Sequence, residues 1–271
     1  MTNIQKYISK YNQIKQIGSD YVTYLFKLND GRLCVCCRKE MKIFKYLNNT
    51  FVKYISIPGL NSSITKILIY DFGGDKILIY NNNGKNHEII TVVNLPKLKH
   101  NLSLDIVEIP KINQIGYYSN NGLFFFDLKN FELKKSINNI NGFEWTNTMI
   151  LYNEDYLLLG SIYCSCNENE KSLYLIKCST YEIVDNIFTI DLDFMFCTAM
   201  KILSDNTILC GFHAYDSISK YVHLKLENGK IKIIGIKRLS NEEYDGEICG
   251  IEQFDNIIVA GNRNNSILLY S

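Results

Sequence analysis

Six copies of one pattern, a polar turn followed by the start of an apolar strand, run along the chain: Asn29-Asp30-Gly31-Arg32-Leu33, Gly73-Gly74-Asp75-Lys76-Ile77, Lys111-Ile112-Asn113-Gln114-Ile115, Asn153-Glu154-Asp155-Tyr156-Leu157, Ser204-Asp205-Asn206-Thr207-Ile208 and Phe254-Asp255-Asn256-Ile257-Ile258. The last residues of successive copies lie 44, 38, 42, 51 and 50 residues apart. An apolar strand precedes each copy, and a third strand rich in Tyr and Phe follows it. A step of this size, kept along the whole chain, indicates that one structural unit repeats six times.

The step from the last copy back to the first is also one repeat long. Ile258 is followed by 13 residues and Leu33 is the 33rd residue, which together make 46. Repeats of about 40–45 residues with four strands each are typical of β-propellers. We therefore predict an all-β fold, with residues 1–271 forming a single closed β-propeller of six four-stranded blades. A seventh blade would need about 39 residues per repeat, which the two longest steps fit poorly.

The last repeat has one strand fewer than the others. Its strands are Glu247–Gln253, Ile257–Gly261 and Ser266–Tyr270, while a spare segment from Tyr11 to Ile17 precedes the first repeat. Unpaired sheet edges are prone to aggregation, and pairing this segment with the last repeat would cover one. We predict that the N-terminal segment is the outer strand of the last blade.

Composition narrows the class of protein. With 29 basic and 28 acidic residues, the chain lacks the basic excess of general nucleic-acid binders. It has no run of 18 apolar residues and no secretory layout at its start, so we expect no membrane insertion. Its nine cysteines then indicate reduced, buried thiols. These features favour a cytoplasmic location, with the nucleus left open.

Two phrases carry a resemblance to a known repeat family. Gly122-Leu-Phe-Phe-Phe-Asp127 resembles the third strand of a WD40 repeat, and the stretch from Ile257 to Tyr270 is similar to a WD40 second strand, turn and third strand. The repeats are degenerate: no Gly-His pair precedes a first strand, and Trp145, the single Trp, is not in a Trp-Asp pair. The family's Asp-His-Ser/Thr-Trp network therefore cannot be transferred to this chain. Kelch repeats are a weaker alternative, resting on Gly73-Gly74 before a strand that ends in Tyr80.

Catalytic and metal-binding chemistry find little support in the sequence. Cys34, Cys36 and Cys37 lack the Cys-x2-Cys spacing of zinc sites and fit small apolar positions on a strand. None of the four histidines belongs to a catalytic pattern. A calcium-dependent, lactonase-type site would need acidic and amide side chains on inner strands, for which Asn82, Asn206 and Glu247 are candidates. We expect no catalytic residues, no metal and no cofactor, and keep a metal-dependent propeller hydrolase as the alternative.

The resemblance implies instead a surface that binds other proteins or peptides. In WD40-like rings, one rim is built from loops that enter the first strand and leave the second. Aromatic and Arg side chains, which often dominate binding energy, are frequent at these positions. The candidate residues are Arg38, Trp145, Tyr163, Phe194, His213, Tyr215 and Arg263. We predict a non-catalytic scaffold subunit, a monomeric propeller within a larger protein assembly.

Overall fold

A computed structural model describes the chain at residues 11–16, 22–27, 31–37, 40–47, 50–58, 62–64, 68–71, 76–82, 87–94, 103–119, 122–138, 145–162, 173–187, 196–213, 219–238, 248–262 and 266–270. Within these ranges the strands form six four-stranded antiparallel sheets. The same ranges contain no α-helix and one short 3-10 turn, at Pro110–Ile112. The prediction of an all-β fold made of four-stranded units is confirmed.

Three sheets belong to one compact unit, which includes Leu102–Tyr244. In chain order we call them sheets 3, 4 and 5, and their strands β10 to β21. Sheet 3 contains β10 (Ser103–Ile109), β11 (Gln114–Ser119), β12 (Gly122–Asp127) and β13 (Leu133–Ile137). Sheet 4 contains β14 (Trp145–Tyr152), β15 (Tyr156–Ile162), β16 (Leu173–Lys177) and β17 (Glu182–Ile187). Sheet 5 contains β18 (Phe196–Ile202), β19 (Ile208–His213), β20 (Lys220–Glu227) and β21 (Lys230–Arg238).

The other three sheets belong to a second compact unit, Lys10–Asn101 with Asp245–Ser271. Sheet 6 contains β1 (Tyr11–Gln16) together with β22 (Ile248–Phe254), β23 (Ile257–Asn262) and β24 (Ser266–Tyr270). Sheet 1 contains β2 (Val22–Lys27), β3 (Leu33–Cys37), β4 (Glu40–Leu47) and β5 (Thr50–Pro58). Sheet 2 contains β6 (Ser62–Ile64), β7 (Leu68–Asp71), β8 (Lys76–Asn82) and β9 (His87–Asn94).

The N-terminal strand completes the last sheet, as the strand count predicts. β1 runs antiparallel to β24, with Tyr11 opposite Tyr270 and Gln16 opposite Ser266. Sheet 6 is therefore built from the two ends of the chain, in the order β1-β24-β23-β22. The pairing itself is confirmed, whereas the closed six-bladed ring and the single domain over 1–271 stay predictions.

One sheet is assigned differently from the sequence prediction. The turn at Gly73-Gly74-Asp75 was predicted to join the first and second strands of the second repeat, but it lies between β7 and β8, the second and third strands of sheet 2. The strand at His87–Asn94 is then the fourth strand and not the third. The two kinds of hairpin turn have the same Gly/Asp composition, because both need residues that tolerate positive φ. The turn alone cannot tell which pair of strands it joins.

Apolar side chains of neighbouring sheets form the cores within each unit. Between sheets 3 and 4, the core includes Tyr118, Phe125, Leu157 and Leu159; between sheets 4 and 5 it includes Leu158, Leu175, Cys210 and Phe212; between sheets 1 and 6 it includes Leu25, Val35, Val259 and Ile267. Each of these side chains is at least 98% buried. Full burial of one such side chain contributes about 1.5–3 kcal/mol to stability, so face-to-face packing of sheets holds each unit together.

Candidate interaction surface

The two ends of sheets 4 and 5 differ in the length of the connections between their strands. We call "turn end" the end at which the first strand joins the second and the third joins the fourth. We call "loop end" the opposite end, where the first strand begins and the second strand ends. In sheets 3 to 6, short turns such as Asn153–Asp155 and Asn228–Gly229 lie at the turn end, while the connections over 163–172 and 214–219 lie at the loop end.

Backbone conformation marks the turn ends as tightly specified. Among the described residues, eight non-glycine residues have positive φ, and all eight lie in these turns: Asn113, Phe131, Asn153, Glu154, Tyr181, Asn206, Asn228 and Asp255. Left-handed conformations are costly for most side chains other than Asn and Asp. Such conformations persist where the surrounding hydrogen bonds fix the turn, as when the backbone N–H of Tyr181 donates to Lys177 O at 2.8 Å.

Side chains at the turn ends also connect neighbouring sheets. Lys111 Nζ of sheet 3 lies 3.2 Å from Asp155 Oδ2 of sheet 4. Gln114 Nε2 donates to Tyr181 Oη at 2.7 Å, and the Tyr181 hydroxyl donates to Gln114 Oε1 at 3.0 Å. Burial raises the pKa of Asp155, but the hydrogen bonds from Lys111 and Ser179 outweigh burial and the net shift is downward. The carboxylate is therefore ionised at neutral pH and keeps its ion pair.

Sheets 4 and 5 are joined in the same way. The Tyr152 hydroxyl donates to Asn206 O, and Asn206 Nδ2 donates to Tyr152 Oη, each at 3.1 Å. Asn206, a candidate ligand in the lactonase-type alternative, thus lies in a turn and hydrogen-bonds to Tyr152 in this structure. Asn82 is the last residue of β8, and Glu247 lies outside the described residues.

At the loop ends, the first strand begins with an irregularity. The register shifts by one residue near the start of five first strands: after the first residue pair in β2, β10 and β22, and after the second pair in β14 and β18. A bulge of this kind bends a strand and turns a side chain out of the regular alternation. The pattern recurs in sheets 1, 3, 4, 5 and 6, so each of them presents similarly distorted backbone at its loop end.

The structure places two of the predicted rim residues at loop ends. Trp145 is the first residue of β14, opposite Ile162, whereas the sequence prediction put it in the loop before the strand. His213 ends β19, opposite Phe196. Its side chain is half-buried, and its Nδ1 lies 3.3 Å from Ser219 Oγ, so this contact links the two ends of the connection over 214–218. The remaining candidates lie outside the described residues: Arg38, Tyr163, Phe194, Tyr215 and Arg263.

A buried carboxylate that the sequence prediction missed connects two first strands. Asp105 of β10 is 3% exposed, and its Oδ2 accepts a hydrogen bond of 2.7 Å from the backbone N–H of Met149 in β14. β14 is the first strand of its sheet and has a strand partner on one side only. A side-chain acceptor from the neighbouring sheet therefore satisfies a backbone donor that no strand pairs with.

A second polar chain lies within sheet 5. Thr207 Oγ1 donates to Asp205 Oδ1 at 2.6 Å and lies 2.5 Å from Nε2 of His223, which is fully buried. Because the threonine proton is directed at the carboxylate, the Thr207 oxygen accepts from the histidine, which assigns the proton of the neutral ring to Nε2. Burial lowers the pKa of His223 below its ordinary value, and the Asp205 charge opposes that shift.

We expect stability to fall at acidic pH because of His223. Its pKa is depressed in the folded state, so below about pH 6.5 the unfolded chain takes up a proton that the folded chain does not. Between the unfolded and folded pKa values this costs about 1.4 kcal/mol per pH unit. His223→Gln keeps an N–H donor for Thr207 and does not titrate. Thermal unfolding between pH 7.5 and 5 should show a smaller loss of stability in the variant, and equal losses would contradict this assignment.

None of the four cysteines whose side chains the structure describes is in a disulfide. Cys178, Cys197 and Cys210 are fully buried, and Cys249 is half-buried. Burial, followed by the Asp155 charge, raises the pKa of Cys178 to about 12, and burial together with the contact to Cys197 raises the pKa of Cys210. Cys210 and Ala260 are both fully buried on second strands, as predicted for small apolar positions. Because their pKa values are raised, the thiols of Cys178 and Cys210 are weak nucleophiles.

Neither a metal-binding cluster nor a membrane-spanning helix is found among the described residues. No cluster of three His, Cys, Asp or Glu side chains there is arranged to hold a metal ion. No helix in the same residues has the length and apolar character needed to cross a membrane.

Comparisons with known proteins show which solved structures have a similar fold. No protein-family model and no curated protein sequence matches the chain. Among solved structures, a chain of the mitotic checkpoint complex is similar over 94% of this chain and 78% of its own length, with 11% identity and a TM-score of 0.63. The β-propeller domain of Cps50 (Swd1) from Myceliophteria thermophila covers 92% of this chain with 83% of its own length, with 11% identity and a TM-score of 0.57.

The fold is WD40-like. The structure of an enzyme is also similar: a catalytically inactive virginiamycin B lyase from Staphylococcus aureus, solved with quinupristin, matches over 97% of this chain and all of its own length, with 11% identity and a TM-score of 0.56. At these identities the likeness concerns the fold alone, and the residues at the loop ends must carry any functional argument.

Proposed function

We propose that this chain is a non-catalytic, protein-binding propeller whose loop ends contact the partner. The observation that supports this proposal best is that the two ends of the sheets are built differently. The turn ends are occupied by short turns and by bonds between neighbouring sheets, such as Lys111–Asp155 and Tyr152–Asn206. In sheets 4 and 5 the loop ends carry the longer connections between strands, and binding residues are commonly found on loops positioned by a rigid scaffold.

The residues at the loop ends fit a protein partner. Trp145 and His213 occupy strand termini there, and the adjoining connections contain Tyr163, Phe194 and Tyr215 in the sequence. Aromatic side chains bury large areas with few rotatable bonds, which is why they dominate the binding energy of many interfaces. The mitotic checkpoint complex offers a precedent, because its similar chain belongs to a multiprotein assembly. We propose the same general role here, with a protein or peptide partner and a cytoplasmic setting.

A charge reversal tests the surface. Arg38 and Arg263 directly follow β3 and β23, the second strands of sheets 1 and 6. We expect Arg38→Glu with Arg263→Glu to weaken partner binding by about tenfold or more, without changing the unfolding temperature. The partner is identified by affinity purification of the tagged protein, and binding is then measured with the purified partner.

A matched control separates the loop end from general charge effects. Lys45→Glu with Lys129→Glu changes the net charge equally, at exposed positions near turn ends. The proposal requires this control to bind normally. If both double variants weaken binding equally, the loop end is not the contact surface. If the arginine variant fails to fold, those arginines are structural; a stoichiometric metal in the purified protein would favour the hydrolase alternative.

A further inference from the structure

The outer strand of sheet 5 has an unusual composition. β21 reads Lys-Ile-Lys-Ile-Ile-Gly-Ile-Lys-Arg, with four cationic side chains and no acidic one. In its register with β20, Lys232 is opposite Lys225 and Lys237 is opposite Tyr221, whereas Ile233 is opposite Leu224 and Ile236 is opposite Val222. Because alternate residues of β20 point to opposite faces, the lysines of β21 share one face of the sheet and the isoleucines share the other.

One edge of β21 has no strand partner among the described residues. β21 is the last strand of its sheet and pairs, among the described strands, with β20. Near the turn end, the backbone N–H of Ile231 donates to Asp185 Oδ2 of β17 at 2.7 Å, which shows that this N–H points away from β20. Since backbone groups of an antiparallel pair alternate in direction, Ile233 and, beyond the register shift, Ile236 direct theirs to the same outer edge.

The side chains along this edge are accessible. Lys230 and Lys232 are exposed, and Ile236 is 41% exposed, a large fraction for an apolar side chain in a strand. The nearest carboxylate on the lysine face, Glu227, already lies between Lys225 (2.9 Å) and Lys232 (3.5 Å). One carboxylate among three lysines leaves this face of the edge positive, while the opposite face carries Ile231, Ile233 and Ile236, with Arg238 at its end.

We propose that the outer edge of β21 binds an extended acidic segment of a partner protein by strand addition. Such a segment would supply backbone hydrogen bonds to the edge at Ile233 and Ile236. Acidic side chains on one of its faces would lie beside the lysines, and apolar side chains on the other face would lie beside Ile233 and Ile236. The matching sequence therefore alternates acidic and β-branched residues.

Charge argues against a second copy of this chain as the occupant. Lysines on an edge strand commonly prevent edge-to-edge pairing between identical molecules, because like charges would face each other. The same charges attract a strand of opposite charge. The edge of β21 therefore disfavours pairing with a second β21 and favours pairing with an acidic segment. This edge is distinct from the loop ends, and the two proposals stand or fall separately.

The test uses the full chain and a short labelled peptide in which Glu and Val alternate. A peptide with Lys in place of Glu is the first control. Fluorescence anisotropy measures binding to wild type, to Lys230→Glu with Lys232→Glu, and to Lys129→Glu with Lys135→Glu, which changes the net charge equally on sheet 3. We expect saturable binding of the Glu peptide, about tenfold weaker for the β21 variant and unchanged for the control variant.

Hydrogen exchange locates the contact. On addition of the Glu peptide, amide exchange should slow at Ile233 and Ile236, which direct their N–H groups to the edge, and remain unchanged in β13. Equal weakening in both double variants, no preference over the Lys peptide, or protection confined to other strands would each overturn the proposal. So would a wild-type dimer formed through β21, because the edge would then be a self-association surface.

Discussion

Removing residues 1–17 is expected to cause the largest loss of stability of any change to the termini. β24 would lose its partner β1, which it pairs with from Ser266 to Tyr270. At about 0.5–1.5 kcal/mol per hydrogen bond, the free energy of unfolding should fall by about 3–5 kcal/mol, or about 10 °C in midpoint temperature. The exposed edge would be strongly apolar, since Ile267 to Tyr270 are buried side chains. We also expect aggregation, measured by light scattering during thermal unfolding.

A circular permutant provides the matched control. Tyr11 lies opposite Tyr270, so the start of β1 is next to the end of β24. Joining Ser271 to Tyr11 through an Asn-Gly turn, in a chain that starts at Gly18, would present β24 and β1 as a hairpin. This permutant should recover most of the stability that the deletion loses. If the deletion variant unfolds at the wild-type temperature, or if the permutant is no better than the deletion, the pairing is not what stabilises sheet 6.

Gly250→Ala is expected to be strongly damaging through close contact alone, at a glycine whose φ is not positive. A Cβ at Gly250 of β22 would lie 2.9 Å from the backbone N of Leu25 and 2.8 Å from its Cγ. Contact with backbone cannot be relieved by a rotamer change, so sheets 1 and 6 would have to move apart. We expect a loss of about 2–4 kcal/mol, above the usual cost of overpacking a core, measured by denaturant unfolding.

Gly116→Ala is the control for that substitution. Its Cβ would lie 3.4 Å or more from the nearest atoms, all of them in the side chains of Ile109, Leu157 and Met149. Neither Gly116 nor Gly250 has a positive φ, so both variants test contact and not backbone strain. Gly116→Ala should change stability by less than about 1 kcal/mol. A similar loss in both variants would mean that the close packing at Leu25 is not limiting.

The local sequence pattern predicts most of the strands in the fold. Strands in sheets 1, 3, 4, 5 and 6 lie within about two residues of their predicted bounds, because apolar alternation and Asn/Asp/Gly turns define hairpins locally. Ile112 belongs to the 3-10 turn before β11, since Pro110 begins that turn and Asn113 ends it in the left-handed region. The predicted strand positions in sheet 2 were wrong by one strand, because turns of the same Gly and Asp composition can join either pair of neighbouring strands.

The polar contacts between strands could not be predicted from the sequence pattern. Asp105 resembles any strand-end carboxylate until Met149, which follows 44 residues later, is packed against it. His223 and Thr207 are joined by the pairing of β19 with β20, which depends on register and not on a motif. The candidate surface shows the same limit: alternation predicts where strands end, but a loop's conformation depends on contacts that no local pattern encodes.

The pairing of β1 with β24 has a consequence for how the chain is made. On a ribosome adding about 5–20 residues per second, β1 emerges some 10–50 seconds before its partner strand exists. Sheets 3 to 5 can assemble during that interval, because their strands pair with neighbours in sequence. Sheet 6 cannot be completed until β24 has been synthesised, so its final step is a long-range loop closure that is intrinsically slow. During translation, the N-terminal strand is therefore the segment most in need of protection by chaperones.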